Sequence, residues 1–257
     1  MKKTFQIAEF SKYLIKAGHW RGHGIHSPFM YDFVRNTLMK ANKKDSASRY
    51  HNALKSVAPK ATTKSTFGSK PSSKAIGTVR LLHKISTTKK YGKLLNTIVA
   101  NYKPLKILEL GTGLGLSTYY LATGNSTSQV ITVEGMEHYS AITKDALGLL
   151  AIDNVTVINS SFEDFFLNLN PNEKFDLIFI DGSHSYQATL PLFNRVLNLA
   201  KTEAFIILDD IRWSRDMFKA WHDIKMHSEV HASLDLGRIG IVFLNPNLQK
   251  QHHTIRY

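Results

Sequence analysis

The sequence predicts an α/β protein: a doubly wound, mostly parallel sheet of seven strands ending in a C-terminal antiparallel hairpin, with a helical extension ahead of it. Three observations carry this. From about Tyr91, short apolar runs alternate with helical patterns, as in parallel strands joined by crossover helices. The stretch ILELGTGLGLS at 107–117 ends an apolar run in glycines at alternate positions, the pattern of a strand turning sharply into a helix beside a ligand. The last two apolar runs are joined only by Leu236-Gly237-Arg238, too short for a parallel crossover, so they form a hairpin.

The elements follow in order. Ser27-Pro28 is a helix-start signal, with serine as cap and proline in the first helical position. Residues 42–75, rich in Lys, Ser, Thr and Ala, read as a mobile or loosely helical connector. KYGKLLNTIVANYKP carries Leu94, Leu95, Ile98 and Val99 on one helical face, and Pro104 stops it. Strands are expected at 107–110, 130–133, 155–158, 175–180, 204–208, 230–236 and 239–244. Between them, Tyr139, Ile142, Ala146, Leu149 and Leu150 form a helical stripe, and Ser160 to Glu163 resembles a capping box. The organisation expected is a basic, mostly helical extension or lid over 1–90, then one domain over 91–257.

Composition narrows the chemistry. The chain has 257 residues, 43% of them apolar, enough for a sizeable core. It has no cysteine, which excludes disulfides, thiolate metal sites and a cysteine nucleophile. No uninterrupted apolar stretch is long enough for a membrane span, so the protein reads as soluble and cytoplasmic. The net charge of +13 is unevenly spread: residues 1–106 hold 22 Lys+Arg against 3 Asp+Glu, and residues 107–257 hold 11 against 17. A basic arm of this kind suits RNA or another anionic partner, or is simply a solvated lysine-rich surface. Few aromatic residues sit among the lysines and no RNA-module signature is present, which favours the solvated surface.

The glycine turn spaces Glu109, Gly111, Gly113 and Gly115 at alternate positions, unlike the Gly-x-Gly-x-x-Gly of dinucleotide folds. It contains no lysine for a triphosphate cradle. The next strand ends in Glu134, followed by Gly135, nineteen residues after Gly115. An acidic side chain there accepts both ribose hydroxyls of an adenosine. Ser117, at the helix N-terminus, suits the carboxylate of a cofactor that lacks a pyrophosphate. With the terminal hairpin, which departs from the symmetric dinucleotide plan, these features favour S-adenosylmethionine.

Residues from about 91 to 244 resemble a class I S-adenosylmethionine-dependent methyltransferase of Rossmann-like fold. They are most similar to the catechol and caffeoyl-CoA type O-methyltransferases. The likeness is carried by YGKLL and LELGTGLGLST, by ITVEGMEHYSAIT, and by VTVINSSFEDF. It implies Glu134 on the ribose hydroxyls, Gly111 and Ser117 near the methionine moiety, and Ser161, Phe162 and Glu163 around adenine. Glu109, Gly113, Gly115, Gly135 and Asp181 complete the expected cofactor-binding set. The segment SPFMYDF is like that of uncharacterised bacterial methyltransferases and adds no activity.

FDLIFID ends in Asp181, and FIILDD ends in Asp209 and Asp210. Parallel neighbours bring these carboxylates to one sheet edge, where they repel unless one is protonated or a cation joins them. Oxygen ligands suit Mg²⁺ or another hard divalent ion, which would orient an acceptor's vicinal oxygens. The resemblance implies metal ligands at Asp181, Asp209 and Asp210, although catechol-type members carry asparagine at the last. It also sets His184 where those members carry a catalytic lysine, and a histidine is well placed as general base near neutral pH. Strand-end aspartates that only cap turns or touch the cofactor are the alternative.

His19, His23 and His26 are irregularly spaced and broken by Gly22 and Gly24, which argues against a metal cluster. Trp20, Arg21 and His26 read instead as part of a lid. Trp213 is a candidate wall of the acceptor pocket; Met217, Trp221 and Ile224 read as core, and His252-His253 as a solvated tail. The expected function is methyl transfer to a small hydroxylated acceptor, such as a catechol-like or sugar-like diol, with Asp181 and His184 catalytic. A methyltransferase acting on RNA or another macromolecule, guided by the basic arm, is the first rival. A non-catalytic cofactor-binding protein is the second.

Overall fold

A computed structural model of the chain describes residues 2–17, 22, 24–41, 47–57 and 89–257. They divide into two compact units, Ala41–Asn170 and Met1–Lys40 with Pro171–Tyr257. The division runs through the first ninety residues rather than after them.

The second of these units begins with α1 (Lys2–Lys16). Its Glu9 and Tyr13 are buried, and the Tyr13 hydroxyl donates to the Ile255 carbonyl at 2.7 Å. α2 (Pro28–Asp32) starts as expected: Ser27 Oγ accepts from the Met30 amide and Pro28 holds the first position. It runs on into a π-helical turn over Phe33–Leu38. Phe29 and Phe33 both meet Phe243 edge-on, at ring separations of 5.5 and 5.1 Å, and so tie this segment to the C-terminal sheet.

The unit Ala41–Asn170 opens with α3 (Ala47–Val57). This corrects part of the connector reading, because Ala47, Tyr50, Leu54 and Val57 recur at helical spacing and are all buried. The rest of 42–75 lies outside the described residues. α4 (Lys89–Tyr102) buries Leu94, Leu95, Ile98 and Val99, the expected face. Strands β1 (Lys106–Leu110), β2 (Gln129–Glu134) and β3 (Val155–Asn159) pair in parallel in the order β3-β2-β1. They alternate with α5 (Leu116–Gly124), α6 (Glu137–Leu149) and α7 (Phe162–Asn168). In α6, Ile142 and Ala146 are buried but Leu149, at the helix end, is exposed. The cap of α7 is Ser161 rather than Ser160: its Oγ accepts from the Asp164 amide at 3.0 Å and donates to Asp164 Oδ2 at 2.7 Å.

The other unit continues with β4 (Phe175–Ile180), α8 (Tyr186–Leu197), β5 (Ala200–Leu208) and α9 (Arg215–Lys225). β6 (Ala232–Asp235), β7 (Gly240–Phe243) and β8 (Gln251–Thr254) follow. β4 and β5 are parallel, whereas β7 runs antiparallel to both β5 and β6, as the short link requires. β8 lies parallel to β6, so the described strands number eight and not seven. The His252-His253 pair belongs to this edge strand and not to a solvated tail; His252 Nδ1 lies 2.9 Å from Ser233 Oγ. Met217, Trp221 and Ile224 are core, with Trp221 packed so closely on Gly240 that a Cβ there would come within 2.6 Å of its ring. Among the described residues no helix is long and apolar enough to cross a membrane.

Candidate functional site

The glycine turn lies in the unit Ala41–Asn170. Gly111, Gly113 and Gly115 have φ of 102°, 53° and 71°, a left-handed path that side chains with a Cβ adopt only with strain. At Gly115 the constraint is doubled: an added Cβ would lie 2.3 Å from the Tyr50 hydroxyl and 2.5 Å from Thr143 Cγ2. Tyr50 donates to the Leu114 carbonyl at 2.9 Å, so α3 props the turn from behind. Glu134 spans the turn from β2. Its Oε2 accepts from the Gly113 amide and its Oε1 from the Met136 amide, both at 2.8 Å. The carboxylate is half-buried and each oxygen keeps a further lone pair for a ligand hydroxyl.

Glu109 and Ser117 sit deeper. Glu109 is fully buried, with the Thr118 and Thr132 hydroxyls donating to Oε2 and with Oε1 buried and lacking a hydrogen-bond partner. Burial pushes its pKa up to about 7; the Ser117, Thr118 and Thr132 hydroxyls partly offset that, and the Glu134 charge adds to it. Ser117, also buried, therefore faces Glu109 and supports the turn from within. Gly135 is half-buried beside Glu134, and Ser161, Phe162 and Glu163 open α7.

The acidic cluster lies in the other unit. The Asp209 amide donates to the Ile180 carbonyl at 3.0 Å, which aligns the ends of β4 and β5 and brings Asp181, Asp209 and Asp210 together. Asp210 is itself left-handed, with φ of 53°. His184 Nε2 stands 4.0 Å from Asp181 Oδ1 and 3.8 Å from Asp210 Oδ2. Its ring lies 5.7 Å from that of Trp213, tilted by 53°. Trp213, Ile7 and Phe10 wall a cavity of about 370 Å³ that Asp210 and Arg238 also line.

The cation that three carboxylates require is present in the chain. Arg238 Nε and Nη2 donate to Asp209 Oδ1 and Oδ2 at 2.8 and 2.7 Å, and Nε stands 3.1 Å from Asp210 Oδ1. Burial works against the guanidinium charge. Asp209 first, then Asp210 and Asp181, outweigh it and raise the pKa well above its ordinary value. The residues present do not fit a divalent ion: Asp209 is fully buried with both oxygens engaged by Arg238. Among the described residues no three His, Cys, Asp or Glu side chains are grouped to hold a metal.

Sequence reasoning missed Tyr50 and Arg238. Tyr50 was legible in the helical spacing of Ala47, Tyr50, Leu54 and Val57. Arg238 gave no signal beyond its place in the hairpin link. Of the expected lid residues, His26 is exposed, while Trp20 and Arg21, like His19 and His23, lie outside the described residues.

A family model described as a methyltransferase domain matches residues 108–211. The chain is 31% identical over 117 residues to O-methyltransferase hkm8 of Aspergillus hancockii, covering 43% of this chain and 46% of that one. It is 32% identical over 95 residues to catechol O-methyltransferase B of Danio rerio, covering 35% and 36%. The chain thus spans less than half the length of these curated relatives. Among solved structures, the O-methyltransferase of Bacillus cereus in complex with S-adenosylhomocysteine aligns over 83% of this chain and 96% of its own. Its TM-score is 0.59 at 21% identity, a likeness of fold.

Proposed function

We propose that the chain is an S-adenosylmethionine-dependent O-methyltransferase of the catechol and caffeoyl-CoA type, and that it methylates an oxygen of a small hydroxylated acceptor; the methyltransferase-domain match and the likeness to two O-methyltransferases support this reading. The observation that carries the proposal is the left-handed glycine turn closed by Glu134, whose carboxylate is held by the Gly113 and Met136 amides. That carboxylate takes the ribose hydroxyls of the donor. Gly111, Gly113 and Gly115 let the backbone approach the methionine part, while Ser161, Phe162 and Glu163 border the adenine. Glu109, Ser117 and Gly135 shape this cradle from below.

The donor arrives activated, so the protein has to align the partners and handle one proton. In-line attack forms the O–CH₃ bond as the C–S bond breaks, and the bonding pair stays on sulfur, leaving a neutral thioether. The acceptor's hydroxyl proton passes to His184 Nε2. Asp181 and Asp210, within 4.0 Å, orient the imidazole and stabilise its charged form. The cavity beside Trp213 is where the acceptor's body lies. This is small-molecule chemistry. The nucleic acid rival rests on the basic charge of residues 1–106 alone and predicts binding that weakens steeply with salt.

Calorimetric titration with S-adenosylmethionine tests the cradle. Wild-type protein binds it, and Glu134→Lys weakens binding by at least about tenfold, as expected for lost charge-assisted hydrogen bonds. Equal affinities in the two proteins would refute the assignment.

A further inference from the structure

We infer that Arg238 serves as the cation of the acidic strand-end cluster in place of a divalent ion, so that the acceptor presents a single reacting hydroxyl and needs no chelating pair of oxygens. The inference rests on the methyl-transfer reading above and deepens it.

Carboxylates converging at the ends of β4 and β5 repel one another without a positive partner. Arg238 meets that need with a geometry matched to it: its fork spans both oxygens of the fully buried Asp209 and reaches Asp210. Asp209 Oδ1 also accepts from the Asp210 amide at 2.8 Å, so its coordination is complete without a metal. A metal ion here would have to displace the guanidinium, or stand beside it as a second cation.

The arginine is not a chance visitor. It follows Gly237, whose φ of 87° and close approach to Tyr13, 2.9 Å from where a Cβ would lie, fix the hairpin link. The Gly237 amide donates to Asp235 Oδ1 at 3.0 Å, and Asp235 is gripped by Arg212 through two bonds of 2.6 and 2.7 Å. A second arginine–carboxylate pair therefore builds the turn that aims the first. Arg212 in turn lies over the Tyr13 and Phe218 rings at 5.0 and 5.1 Å.

The consequence for the acceptor is chemical. A divalent ion selects substrates by chelating vicinal oxygens. A guanidinium already committed to two carboxylates offers instead a directed N–H donor to one oxygen. The walls contributed by Ile7, Phe10 and Trp213 are apolar and partly aromatic, which suits the flat face of a monohydroxylated aromatic ring. Arg238 is thus a positioning residue that sets metal independence and acceptor class together.

Electron paramagnetic resonance of Mn²⁺ with the full chain reads this directly, because bound ion loses the signal of free ion. Wild-type protein leaves the free signal undiminished. Arg238→Ala uncovers Asp209 and Asp210 and takes up Mn²⁺ with a dissociation constant on the order of 1 mM or tighter. Arg238→Lys keeps a positive charge and takes up none. If Arg238→Ala does not fold, wild type and Asp209→Asn still decide: Mn²⁺ uptake by wild type that disappears in Asp209→Asn overturns the proposal. Methyl transfer to phenol that persists in a chelator supports it, and transfer to catechol alone that stops in a chelator overturns it. Failure of wild type to bind S-adenosylmethionine would instead sink the methyl-transfer reading, leaving the Mn²⁺ result to judge the arginine.

Discussion

Glu109 and Asp209 are both wholly buried carboxylates beside the carboxyl ends of parallel strands, yet their surroundings solve the same problem in opposite ways. Around Glu109 stand only neutral hydroxyls, those of Ser117, Thr118 and Thr132; burial then drives the group toward its protonated form, with a pKa of about 7. Around Asp209 stands a guanidinium bonded to both oxygens. One site removes the charge with a proton and the other balances it with a cation. Burial alone does not determine the state of an acid; the nearest donor does.

The contrast can be broken at the arginine first. Removing the guanidinium leaves the fully buried Asp209 as an uncompensated charge, so Arg238→Ala should lose about 3 kcal/mol of stability, the low end for such pairs because the arginine side chain is itself 27% exposed. Urea denaturation measures it, and adding Asp209→Asn should restore part of the loss. A single variant as stable as wild type would mean that Asp209 does not depend on the guanidinium in solution.

Next comes pH. The Glu109 pKa rises from 4.5 in the unfolded chain to about 7 when folded, so the folded state holds its proton more tightly. The stability this confers is complete below 4.5 and is lost as pH rises toward 7. The change amounts to about 3–4 kcal/mol at most, since each tenfold gain in proton affinity is worth about 1.4 kcal/mol. Measured against Glu109→Gln, which stays neutral throughout, wild type should lose this increment between those limits. Parallel curves for the two proteins would show that Glu109 is not protonated in the fold.

The smallest effect sharpens the comparison from the side of the glycine turn. Tyr50→Phe strands the buried Leu114 carbonyl and should cost about 1–2 kcal/mol. Affinity for S-adenosylmethionine should fall with it, since the carbonyl belongs to the turn. Unchanged stability and affinity would remove Tyr50 from the cradle.

Much of this was legible in the residues. Ile107 to Leu110 followed by three glycines, the apolar runs near 130, 155 and 175, and the three-residue hairpin link each carry a local signal of period or spacing. What escaped notice was of two kinds. α3 has its own period, but it sits in a polar stretch whose lysines and serines masked the Tyr50 face. β8 reads as polar because QHHT is an edge strand with no buried face to pattern it. The cap of α7 moved by one residue because Ser160 and Ser161 are both competent and only the path of the chain chooses between them.

The sequence by itself determined the alternation of strands and helices, the glycine turn, Glu134 beyond it, and three aspartates that demand a positive partner. These are properties of neighbours in the chain, written in spacing. The identity of that partner was decided by tertiary structure. Arg238 lies twenty-nine residues from Asp209 and meets it only because β7 returns antiparallel alongside β5. An ion pair across a sheet leaves no periodic trace, since Coulomb attraction depends on distance in space and not on distance along the chain.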